Sequence, residues 1–134
     1  MGDIRELAAA VEAAFQGDVG QVAGLLKYTT DDFVQEWPQS GERLTKPMVE
    51  KMAESYEAGS GTNPKFSYRR MLGGGDTFTV EGTIDYGDGI PVSYVGIGEI
   101  RDGMISRLTE YFANPFEPPA WRAGMTERME PAKA

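Results

Sequence analysis

The sequence predicts an α+β fold in which three N-terminal helices pack in the concave face of a curved, mostly antiparallel sheet. Three observations carry that reading. Helical periodicity is confined to the stretches before Gly59. From Asp76 to Asn114 the chain reads as three consecutive strands joined by loops at Gly87-Asp88-Gly89 and Arg101-Asp102-Gly103. Gly82, Gly96 and Gly98 then fall on one face of those strands, where missing side chains permit strong curvature.

Ile4, Leu7, Val11, Ala14 and Phe15 recur at helical spacing and predict an amphipathic helix over Asp3–Gln16. Gly17 stops it, and Asp18 can cap a second short helix with Val19, Val22, Leu25 and Leu26 on one side. DFVQEW, Asp32 to Trp37, alternates and ends at Pro38, so it reads as a strand; Gln39 to Thr45 reads as a polar loop. Thr45 and Pro47 open a third helix that runs to Gly59, with Met48, Met52, Ser55 and Tyr56 on one face. Lys65 to Leu72 alternates weakly as a further strand.

Three-residue loops in the meander pair Gly82 with Tyr94 and Val80 with Gly96. In the second hairpin they pair Ile100 with Met104, Gly96 with Leu108 and Tyr94 with Glu110. The face that meets the helices then carries Val80, Ile84, Tyr94, Leu108, Glu110 and Phe112. The opposite face carries Val95, Ile97, Ile105 and Tyr111, an apolar band ringed by Glu99, Arg107 and threonines. Such a band on the outside of a sheet predicts a homodimer interface. After Asn114, closely spaced prolines preclude regular structure, and Phe116 and Trp121 read as anchors that tie the tail down. The chain is one domain, residues 1–134, with a core over 3–118 and a C-terminal cap and frayed tail over 119–134.

Composition narrows the function classes. A net charge of −8 opposes nucleic acid and anionic membrane surfaces. No apolar run approaches the roughly 20 residues of a membrane span, and the N-terminus lacks the order of a signal peptide, which leaves a cytoplasmic protein as the expectation. The chain has no cysteine and no histidine, so thiol nucleophiles, His-based triads and the commonest metal ligand are excluded. No metal or cofactor is expected. Any catalysis falls to carboxylates and tyrosines.

The helix–helix–strand–helix–meander order, with GDVGQVAGLLKYTTDDFVQEWP near the start and EIRDGMISRLTEYFANPF near the end, resembles the SnoaL-like branch of the nuclear-transport-factor-2-like superfamily. The resemblance covers about residues 3 to 118. It implies a cone-shaped α+β barrel with a deep pocket, of the kind found in ketosteroid isomerase and the polyketide cyclases. It also implies either cofactor-free acid–base chemistry (isomerisation, cyclisation or dehydration) or a non-catalytic ligand-binding or dimerisation domain. At the positions matching the catalytic groups of ketosteroid isomerase the chain has Ala10, Trp37 and Gly96, so that machinery does not carry over. Polyketide cyclases place an acid on a late strand, where this chain has Glu110.

Glu110, with Tyr94 beside it, is therefore the candidate acid or base; the alternative is a carboxylate that only accepts hydrogen bonds from Tyr94 or the Trp37 indole. Gln35, Trp37, Met52, Tyr56, Leu108 and Phe112 are the candidate walls of a pocket for a small apolar organic molecule. Glu36 should point to the outer surface, and Arg43 either makes an exposed ion pair there or reaches an anionic ligand. Arg69 and Arg70 should point to opposite faces.

Overall fold

The computed structural model describes residues 4–15, 23–60 and 64–130. Helix α1 spans Ile4–Ala14 and helix α2 spans Lys46–Ser60. The strands are β1 Thr29–Trp37, β2 Glu42–Thr45, β3 Lys65–Gly74, β4 Thr77–Asp85, β5 Val92–Arg101 and β6 Met104–Ala113. They form one curved sheet in the order β2-β1-β6-β5-β4-β3, antiparallel except where β1 runs parallel to β6.

Three expectations change here. The described residues contain two α-helices rather than three. The predicted second helix falls largely on 16–22, outside the described residues, and its remainder, Ala23–Tyr28, is a tight 3-10 turn. Gly24 weakens an α-helix there, and β1 begins at Thr29, whose hydroxyl donates to the Leu26 carbonyl at 2.6 Å. The segment read as a polar loop contains β2, which pairs with β1 after a turn closed by Gly41 at φ +76°. Nor are Phe116 and Trp121 anchors: they are 81% and 71% exposed.

The β4–β5 register is the predicted one, with Gly82 opposite Tyr94 and Val80 opposite Gly96. The β5–β6 register is not. Asp102 and Gly103 both take left-handed conformations, φ +55° and +77°, and close a two-residue turn in place of the predicted three-residue loop. That shifts the pairing by one near the turn, setting Ile100 opposite Ile105. A bulge then leaves Ser106 without a cross-strand partner and shifts the pairing by one more, setting Gly96 opposite Glu110 and Tyr94 opposite Phe112. Two single shifts preserve parity, so Leu108, Glu110 and Phe112 face inward as predicted. Between the turn and the bulge parity is reversed: Ile105, expected on the outer face, is 1% exposed and belongs to the core.

The core lies between the concave face and α1. Leu7, Val11, Ala14 and Phe15 are buried on one side of that helix, the spacing its sequence predicts. Phe15 packs edge-on against Phe66 at 5.3 Å and lies 5.4 Å from the Tyr94 ring. At Gly98 an added Cβ would collide with the Phe78 ring, so the absent side chain makes room for a core aromatic.

The outer face is polar at its edges and apolar in its centre. Glu36 does point outward and accepts from Arg43 at 3.4 Å, with Arg107 3.5 Å away. Arg69 and Arg70 both reach Glu81, at 3.7 and 2.9 Å, because β3 carries a bulge between Tyr68 and Arg70 that breaks strict alternation. Among the described residues no helix is long and apolar enough to cross a membrane.

Candidate functional site

Glu110 sits on β6 with its side chain directed at the concave face, 4% exposed. Three donors converge on it. The Gln35 amide and the Trp37 indole, two residues apart on β1 and so on the same face, both donate to Oε1, the indole at 2.9 Å. The Tyr94 hydroxyl on β5 donates to Oε2. Hydrogen-bond donors at both oxygens suit a carboxylate that accepts, and each of the three donors is neutral.

The reach of Tyr94 depends on a glycine. Gly96 lies directly across from Glu110, and a Cβ there would stand 2.5 Å from the Tyr94 hydroxyl. Without that side chain the Tyr94 ring lies over Gly96 and delivers its hydroxyl to the acid. Burial pushes the Tyr94 phenol well above its ordinary pKa, and the Glu110 carboxylate beside it pushes the same way. Tyr94 is thus held as a hydrogen-bond donor to Glu110.

Glu110 forms part of the wall of a 430 Å³ cavity at the open end of the sheet, a volume within the range of small-molecule sites. Trp37, Phe66, Tyr86 and Phe112 supply aromatic walls, with Ile84 and Met52 between them. Gln35, Gln39 and Ser40 supply polar groups. The mouth is fixed by Gln39, whose amide donates to the Phe112 carbonyl at 2.7 Å and accepts from the Phe112 N–H at 2.6 Å. That pair ties the β1–β2 turn to the end of β6.

The structure brings together Glu110, Tyr94, Gln35, Trp37, Met52 and Phe112, as the sequence suggested. Leu108 is not among the walls: it is 4% exposed within the core. The Tyr56 side chain lies outside the described residues. Phe66, Ile84, Tyr86, Gln39 and Ser40 were not proposed as walls. Ile84 on β4 and Tyr86 just past its end keep the inward alternation, so the strand period could have found them; Phe66 needed the β3–β4 register. Arg43 pairs with Glu36 on the outer surface and does not line the cavity.

A second cavity, of 210 Å³, opens at the other end between α1 and the β3–β4 turn. Leu7, Val11, Met71 and Phe78 line it, and Thr77 is its one polar side chain, which leaves it without acid–base chemistry. No cluster of three or more potential metal-ligating acids occurs among the described residues.

The sequence profile of the SnoaL-like domain matches residues 5–108. The chain belongs to the SnoaL-like family. Among curated proteins no sequence matches it. Solved structures do: it is 31% identical to an NTF-2-like protein of unknown function from Burkholderia xenovorans LB400, over 94% of each chain, with a TM-score of 0.73. It is 24% identical to a putative ketosteroid isomerase from Kribbella flavida DSM 17836, over 96% of this chain and 90% of that one, with a TM-score of 0.77, a likeness of fold alone. This SnoaL-like chain therefore has the nuclear-transport-factor-2-like architecture, and its chemistry must be argued from its own residues.

Proposed function

We propose that this SnoaL-like protein binds a small organic molecule in the cavity bordered by Trp37, Phe66, Tyr86, Phe112 and Glu110. The observation that carries this reading is a buried acid at the wall of an aromatic-lined cavity, oriented by donors from two other strands. A carboxylate placed there only for stability would be a costly choice, because its burial must be offset by every donor around it. Widening Ile84→Trp fills the cavity from its wall. Calorimetry against a panel of small aromatic compounds should give saturable binding to the natural protein and none to I84W of unchanged circular dichroism; equal binding by both would place the ligand elsewhere.

A catalytic reading uses the same residues. Glu110, the one carboxylate among the described residues of the cavity wall, would move a proton on the bound molecule, and Tyr94 would hold that carboxylate in place. The reaction class is cofactor-free isomerisation, cyclisation or dehydration. Solvent deuterium exchange into ligands at saturating concentration, lost in E110Q, is the outcome this reading requires.

We also propose that the outer face pairs with a second copy. Ile97 and Tyr111 are 39% and 40% exposed there, with Val95 between them in the β5–β6 ladder. Opposed charges flank this band, Glu36, Arg43 and Arg107 on one side and Arg69, Arg70 and Glu81 on the other. Two-fold pairing would cover the apolar band and leave these ion pairs at its rim. Sedimentation should give a dimer that Ile97→Glu converts to a folded monomer; a monomeric natural protein would refute the pairing.

A further inference from the structure

Among the described residues the cavity wall carries one charged group, Glu110, and no cation. Neither Lys nor Arg lines the cavity, and Glu110 makes no ion pair among the described residues. The sheet had cations available: Arg107 lies three residues earlier on the same strand, yet its guanidinium is on the outer face with Glu36 and Glu99. The donors that face Glu110 are an amide, an indole and a phenol, which solvate a carboxylate without neutralising it. They also leave it incompletely used. A carboxylate has about four lone-pair sites, and among the described residues Oε1 takes two donors while Oε2 takes Tyr94 alone.

Around that acid stand Trp37, Phe66, Tyr86 and Phe112. Aromatic rings attract cations through their negative faces and bury hydrocarbon at the same time. An anionic ligand would meet Glu110 with like charge, and a neutral hydrocarbon would leave the acid buried beside it with no added partner. A neutral O–H fills the spare acceptor site but leaves the charge unbalanced, whereas a cation with an apolar body answers both features.

We propose that the ligand is a small organic cation, a protonated amine whose N–H meets Glu110 while its hydrocarbon part lies among the aromatic walls. The inference rests on the cavity being the ligand site, and it goes further by naming the ligand's charge.

Benzylamine, benzyl alcohol and benzoate share one ring and differ in charge, so they separate the two claims. They are titrated by calorimetry into the full chain and into E110Q, each at near-neutral pH. Benzylammonium should bind at least about tenfold more tightly than benzyl alcohol, benzoate should bind most weakly, and E110Q should bring amine and alcohol to similar affinity. The Coulombic attraction of the whole acidic chain would survive E110Q, so loss of the preference in that variant assigns it to the cavity. If E110Q does not fold, Phe112→Leu serves instead, because it removes one aromatic face while leaving Glu110 and its three donors in place, and should weaken the amine more than benzoate. Alcohol binding as tightly as amine would overturn the cation while leaving the cavity reading intact. Failure of all three probes to bind would overturn both.

Discussion

Removing the Tyr94 hydroxyl tests whether Glu110 is held as the structure has it. Tyr94 is 1% exposed and packs against Phe15, Phe66 and Phe112 at ring distances of 5.4–5.5 Å, so Tyr94→Phe keeps the packing and deletes one hydrogen bond. A hydrogen bond to a charged group contributes about 1.5–3 kcal/mol. Oε1 keeps its two donors, while Oε2 loses the one it has. Because Glu110 borders the cavity, water can replace part of what is lost, which places the expected cost near 2 kcal/mol. For a chain of this size that is a fall in Tm of about 6–10 °C. Urea unfolding of the natural protein, Y94F, E110Q and the double variant closes a cycle in which the coupling should be about 1–2 kcal/mol. Y94F and E110Q effects that add to within about 0.5 kcal/mol would refute a Tyr94–Glu110 bond as the element that orients the acid.

Three further outcomes follow from the same geometry. Because burial and the Glu110 carboxylate raise the Tyr94 pKa, its contribution to stability is full below the unfolded value of about 10 and is lost as pH climbs from there through the folded value; spectrophotometric titration of native Y94F should therefore match the natural protein near pH 10, and a missing group in the variant would contradict the raised pKa. Gly96→Ala should cost about 1–3 kcal/mol by displacing the hydroxyl that stands 2.5 Å from the new Cβ, and adding Y94F should recover part of it; a cost unchanged by Y94F would show that the clash lies elsewhere. Gly103→Ala, at φ +77°, should cost about 1–2 kcal/mol in urea unfolding, whereas Asp102→Asn, at φ +55°, should be nearly neutral because Asn tolerates the left-handed region; equal effects would refute the two-residue turn.

Two register shifts that cancel kept Glu110 and Phe112 inward, and the amino-acid sequence by itself determined five of the six strands and the inner and outer faces of β4 and β5. These follow from strict alternation, a local property that needs no partner strand. It also determined what the site lacks, since a chain without histidine or cysteine has few chemistries open to it. The sequence did not determine how β6 slides against β5. A turn one residue shorter and a bulge at Ser106 have offsetting effects on parity, and both depend on pairing across the hairpin rather than on any local pattern. For that reason Glu110 is found across from Gly96 instead of Tyr94, and Ile105 is in the core instead of on the outer face. The sequence offered Tyr94 and Trp37 as donors to Glu110, and tertiary structure decided that both bond at once and that Gln35 joins them. Gln35 and Trp37 lie more than seventy residues from Glu110 in sequence, and only the parallel β1–β6 pairing brings them to one carboxylate.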